Sequence, residues 1–328
     1  MNKKAFEIQF NWLFVLVAGT AILLFFTAVV IKQKSISETS TKAIVLKTVE
    51  AIITGAGVST DTTNVIDMPS SNIDVSCNRI SVGGVSKQYQ NLILFAPNLI
   101  KGNKLITQTL SFSNPYRVTN FLYVTSADMR YVIIGNSNLA KEINRSLPSS
   151  LKKEFYQSTP MIRNENNYKV KIIVFDSLIN FPISLEKMPD SDVTMIRVNG
   201  DIEKGNIDFY QKDGNQWLPR GSMPYLGKQS LIGAVYIEDP EIYKCNMDNA
   251  FIRLSLVTNT YKERTEKLKQ TTQLECRLVY SNALSHLNSI LSLSSSFDQT
   301  NVITIVESAK SLANENKNAQ LYSCPLVY

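Results

Sequence analysis

The chain has 328 residues, one histidine and a net charge of +6 from 34 Lys and Arg against 28 Asp and Glu. Lys3, Lys4, Lys32 and Lys34 against Glu7 place +3 of that charge in the first 34 residues, so the remainder is close to neutral and lacks the basic balance that nucleic-acid binding needs. A 44% hydrophobic content supports a globular core in one large domain or two small ones, and a lone histidine argues against His-rich metal sites.

Residues 1–11 form a short N-terminal tail. From Trp12 to Ile31 twenty consecutive residues carry no charge. At ~1.5 Å per residue they span about 30 Å, the thickness of a bilayer's hydrocarbon core. A cleavable signal has a shorter apolar region, roughly 7–15 residues, and a small-x-small site, whereas this run ends in AVVIKQK. A permanent transmembrane helix is therefore expected, with the lipid bilayer as the partner of Trp12–Ile31. A cleaved signal and a buried core helix are the weaker alternatives. Trp12 suits the headgroup level, and lysines at both ends leave the positive-inside comparison balanced.

Residues 32–58 carry Val45, Val49, Ile52 and Ile53 on one helical face and end at Gly55 and Gly57, the pattern of an amphipathic stalk helix. The polar stretch 59–71, with a single proline, is expected to be a linker. Residues 72–240 are expected to form a β-rich and α/β soluble domain. Its first part, to residue 126, reads as antiparallel strands in NIDVSC, RISVGG, NLILFAP, KLITQTLSF and NFLYVTS. From Tyr131 the pattern becomes strand, helix, strand: YVIIG, then a helix capped by Asn136 or Ser137 with Leu139, Ala140, Ile143 and Leu147 on one face, then KVKIIVFD. VTMIRVNG, GNIDFYQ and LIGAVYIED read as further strands, giving an α/β layer with some parallel pairing. Residues 241–328 hold three apolar stripes at helical spacing and predict a C-terminal antiparallel helical bundle. The fold class is thus mixed, α+β with an α/β layer.

Four cysteines, Cys77, Cys245, Cys276 and Cys324, have no CxxC or zinc-finger spacing. An even, scattered set predicts two disulfides in an oxidising compartment, against the alternative of four buried thiols in a cytosolic domain. Cys245 and Cys276 begin successive predicted helices and stand roughly 35 Å apart at ~1.5 Å per residue. Disulfide partners need Cα atoms within about 7 Å. The returning third helix brings Cys324 back to Cys276, which leaves Cys77 for Cys245. The expected topology is single-pass in the cell membrane, with a short N-terminus inside and the C-terminal domain outside.

Chemistry is sparse. His286, the sole imidazole, sits in a helical pattern beside leucines and predicts no triad. Gly221–Ser230, GSMPYLGKQS, misses the Walker spacing, lacks Ser or Thr after Lys228, and precedes an expected strand. Asp176 ends the KIIVFD strand, where open α/β sheets bind ligands, and Asp192, Asp201 and Glu203 are candidates to join it. It is the candidate catalytic residue of an alternative reading, a membrane-anchored metal-dependent hydrolase. Glu238, Asp239 and Glu241 lack EF-hand spacing, and Asp239-Pro240 suits a helix start. Asn144, in Asn144-Arg145-Ser146, is the one glycosylation candidate. No cofactor is called for, and a binding or assembly role with envelope components is expected ahead of an enzyme.

Two resemblances add to this. A charged start, Glu7 ahead of a spanning helix and an amphipathic extension onto a β-rich head resemble type IV pilin-like subunits, with Lys4-Ala5 in the place of their cleavage site. That resemblance implies self-assembly into a filament. KKAFEIQFNW at the start, YKCNM at Tyr243–Met247 and SCP at Ser323–Pro325 are similar to uncharacterised single-pass membrane proteins of archaea, which implies an archaeal envelope setting and brings no site residues.

Overall fold

In the computed structural model of the chain a single helix, α1 (Lys3–Val58), runs through the expected spanning segment and stalk without a break. Described are residues 3–89, 92–163, 168–175 and 177–328, and their side chains apart from 3–15, 35–39, 41, 53–54 and 56–58. The 56 residues of α1 extend about 84 Å. Between Leu16 and Lys34 the helix is long and apolar enough to cross a membrane, and none of that stretch is buried. Farther along the same helix Val45 and Val49 are buried, with Leu46 and Ile52 packed beside them against a sheet.

That sheet has six strands: β1 (Thr62–Ser76), β2 (Arg79–Val82), β3 (Val85–Gln88), β4 (Leu94–Phe95), β5 (Leu99–Ser113) and β6 (Arg117–Ser126). Their spatial order is β3-β2-β1-β5-β6-β4, antiparallel throughout except for the parallel β4–β6 edge. The stretch 62–71, expected as linker, is instead the first half of β1 and pairs with β5 from Thr62↔Thr109 to Asp67↔Lys104. A register shift between Asp67 and Ser71 accommodates Pro69, which has no N–H to offer a ladder. The misreading has a physical cause. This part of β1 is largely exposed, so its threonines and Asn64 follow a polar composition while still suiting an extended backbone.

The second sheet comprises β7 (Met129–Ile134), β8 (Lys152–Tyr156), β9 (Lys169–Val174), β10 (Val193–Gly200), β11 (Lys204–Asp213) and β12 (Gln216–Leu226) in the order β12-β11-β10-β9-β7-β8. Strands β8, β7, β9 and β10 run parallel, and β11 and β12 extend the sheet antiparallel. The helix α2 (Asn138–Ser146) makes the crossover from β7 to β8, capped by Ser137, whose hydroxyl accepts from the Ala140 N–H at 3.2 Å.

LIGAVYIED, expected as a strand, is mostly the helix α3 (Gly227–Tyr236). Ser230 to Tyr236 are all buried, so no polar face interrupts the apolar run and its period carries no helical signal. Three longer helices follow: α4 (Pro240–Thr271), α5 (Leu274–Leu293) and α6 (Gln299–Leu321). Asp239 and Asp298 cap α4 and α6, and α5 packs on both neighbours. Disulfides join Cys77 to Cys245 and Cys276 to Cys324, with Cα atoms 6.1 and 5.8 Å apart. The main core lies between the facing sides of the two sheets and the helices α2 to α6. Separate cores form where α1 covers the first sheet and where residues 179–188 cover the outer face of the second.

At Gly233, in the middle of α3, a Cβ would lie 2.5 Å from ring carbons of the buried Phe95. Alanine gains about 1 kcal/mol of helix propensity over glycine, but overpacking costs about 1–3 kcal/mol. Gly233→Ala is expected to lower the urea midpoint, with a net destabilisation of up to about 2 kcal/mol and no change of fold.

Candidate functional site

Side chains alternate across a strand, and at one end of the second sheet this alternation puts charge on an otherwise apolar face. Val170, Ile172, Val193 and Met195 point to the outer core. Ile173, Ile196 and Phe209 point to the main core, and the same face carries Lys169, Lys171, Thr194 and Gln211. The register sets Lys171, Thr194 and Gln211 in one row across β9, β10 and β11. Lys171 is fully buried and Lys169 is 4% exposed.

Both ammonium groups are met by the end of α3. Lys171 Nζ donates to the Ile237 carbonyl at 2.6 Å, a cation placed where the helix C-terminus presents its free carbonyls. Lys169 Nζ donates to both carboxylate oxygens of Glu238, at 2.7 and 2.5 Å. Burial pushes the Lys171 amine down to about 7, against the opposing pull of Glu238. Its ammonium also stands 5.6 Å from the centre of the Phe209 ring.

Beside this pair opens a cavity of about 240 Å³, between the start of β5, the start of β10 and the α3–α4 turn. Thr194, 4% exposed, and Asn98 form part of its wall, and Thr194 Oγ1 and Asn98 Oδ1 are shut off from solvent without a hydrogen-bond partner. Arg220 reaches the cavity from a bulge in β12, where it is the extra residue opposite the Phe209–Tyr210 step of β11. It is exposed and makes no ion pair among the described residues. Asp192 lines the cavity as well and accepts from its neighbour Ser191 Oγ at 2.9 Å. Asp239 is engaged as the α4 cap, accepting from the Glu241 N–H at 2.9 Å.

Asp176 lies outside the described residues. The acids expected to join it do not converge, because Asp192 precedes β10 at the cavity while Asp201 and Glu203 follow its other end. Among the described residues no group of three or more His, Cys, Asp and Glu side chains stands ready for a metal ion. Glu238, Asp239 and Glu241 form no calcium rim, since the first is paired with Lys169 and the second caps a helix. His286 is a half-buried residue of α5. Asn144 sits within α2, and its backbone carbonyl accepts from Lys153 Nζ at 2.6 Å, so the sequon is part of a regular helix. Gly221–Ser230 runs from a strand directly into a helix, with Gly221 to Leu226 in β12 and Gly227 to Ser230 in α3, and the Gly227 N–H donates to the Glu203 carbonyl at 2.6 Å. No free turn is left there to cradle a phosphate. Lys169, Lys171, Thr194 and Arg220 were not singled out by sequence, although two lysines alternating with valine and isoleucine in KVKIIV are a legible sign of charge on a buried face.

The Lys171 amine titrates near 7 in the fold and near its ordinary 10.5 when unfolded, so between these values the unfolded chain binds more protons. Its destabilising contribution is fully present below about pH 7 and is relieved as pH rises toward 10.5. The urea midpoint of the wild type is expected to rise over that window. Lys171→Met is expected to flatten the rise and to gain most at neutral pH, as replacement of a buried charge by an apolar residue often does. An unchanged slope in that variant would assign the pH dependence to another group.

No protein-family model matches the chain, and neither does any curated protein or solved structure.

Proposed function

We propose that the chain is a single-pass membrane-anchored protein whose disulfide-bonded domain stands outside the cytoplasm on a helical stalk and binds or assembles with envelope components. The observation that carries this reading is the division of labour along α1. Its apolar stretch Leu16–Lys34 is wholly unburied, while Val45 and Val49 on the same helix are locked into the first sheet. A contiguous apolar surface of that length in water is unfavourable, and a bilayer removes the cost. The helix rises about 16 Å between Lys34 and Val45, which holds the domain clear of the headgroups at a defined height. Two disulfides with no remaining free thiol suit an oxidising compartment. Exposed Leu274, Leu278, Leu321 and Tyr322, near the Cys276–Cys324 bond, support a role in docking.

The uninterrupted course of α1 from spanning segment to sheet also favours a second reading, a pilin-like filament subunit. N-terminal sequencing of the protein from its native membrane distinguishes the two: a mature chain starting at Ala5 supports the filament subunit, and an intact start supports the simple anchor. The orientation is tested by thiol alkylation of the protein in intact membranes, with and without prior reduction. All four cysteine peptides are expected to label only after reduction. Labelling without reduction would place the domain in a reducing compartment and remove the envelope reading.

A further inference from the structure

The cavity beside Lys169 has features that a passive gap between elements does not need. We propose that it binds a free α-amino acid, with the carboxylate on Arg220 and the ammonium on Asp192. The inference does not depend on which side of the membrane the domain faces.

Charge pairing selects the ligand class. Of the five ionised side chains on the wall, Lys169 and Glu238 neutralise each other, and Asp239 keeps its charge with one oxygen held by the Glu241 N–H at the helix start. Arg220 and Asp192 make no ion pair among the described residues. They line one cavity without pairing with each other, so a ligand bridging them needs both signs of charge. A neutral sugar would leave both ions with weaker partners, and a simple anion or cation would serve one and repel from the other. The bulge that carries Arg220 interrupts the β11–β12 ladder at that one point, a device that re-aims a side chain.

The neutral groups fit the same ligand. Thr194 Oγ1 and Asn98 Oδ1 have no partner in the fold, and an unmet buried polar atom costs about 1–3 kcal/mol. A hydroxyl donates to a carboxylate, and an amide oxygen accepts from an ammonium. Both atoms are closed to solvent, so engaging them needs a small side-chain adjustment when the ligand enters. Size points the same way. At about 240 Å³ the cavity falls below the roughly 300–1,000 Å³ of drug-sized pockets and suits one small molecule.

The test uses the full chain in detergent micelles and isothermal titration with the proteinogenic L-amino acids, one at a time. At least one is expected to bind saturably. Its N-acetyl derivative and its carboxamide, each lacking one charge, are expected to bind at least about tenfold more weakly. Arg220→Gln and Asp192→Asn, both at solvent-accessible positions, are expected to weaken binding by a similar factor with unchanged thermal midpoints. Thr194→Val is expected to weaken binding without loss of stability. The proposal is overturned if no amino acid saturates, if glucose binds as tightly, if the singly charged derivatives bind as well as their parent, or if both charge variants bind like the wild type. The derivative series decides the matter even if a variant fails to fold.

Discussion

Burial of α3 against Phe95 is the constraint on which the soluble domain depends. The helix is enclosed over seven consecutive residues, and Gly233 lets its backbone approach the Phe95 ring on the edge strand of the first sheet. Phe95 is itself packed against Phe121, Tyr123 and Tyr243, while Tyr236 of α3 reaches both Tyr123 of the first sheet and Tyr131 of the second. Tyr243 carries the contact onward to Phe209 and Phe297. Aromatic pairs in such offset and edge geometries add roughly 0.5–1.5 kcal/mol each beyond their area, and here they join two sheets and the bundle into one core.

The same helix builds the polar cavity. Entering through Gly227 at positive φ and ending at Ile237, α3 delivers a free carbonyl to Lys171 and the Glu238 carboxylate to Lys169. Two lysines on a buried face would otherwise be strongly unfavourable, and removing either partner of a buried pair typically costs 3–5 kcal/mol. With those charges met, the cavity wall keeps Arg220 and Asp192 for something outside the fold.

The disulfides secure the parts that α3 does not reach. Cys77, at the turn after β1, is tied to Cys245 in α4 across 168 residues of sequence, and Cys324 in the C-terminal tail is tied to the start of α5 across 48. In the chain-entropy account such loops restrict the unfolded chain by about 5 and about 4 kcal/mol. The first bond fastens the sheet that packs on α1 to the bundle. The first sheet is thus held to α1 by packing at Val45 and Val49 and to α4 by a covalent link at the end of β1.

Local pattern was enough for elements whose environment is one-sided. The stripes of α4 to α6, the caps at Ser137 and Asp239 and the cysteine pairing by helix length follow from spacing along the chain, because a half-buried helix writes its period into its residues, while the charge-free run from Trp12 is legible by its length and composition. Where the surroundings are uniform that signal vanishes. Helix α3 is buried on every side and reads as a strand, and the first half of β1 is exposed on most of its length and reads as a linker. The candidate site shows the same limit. Lys169 and Lys171 are visible as alternating charges in one strand, but Asp192, Arg220, Asn98 and Glu238 come from four separate segments. Only the parallel register of β9 and β10, the bulge in β12 and the exit of α3 bring them to one cavity, since which charges are met inside a fold and which are left over is settled by three-dimensional packing.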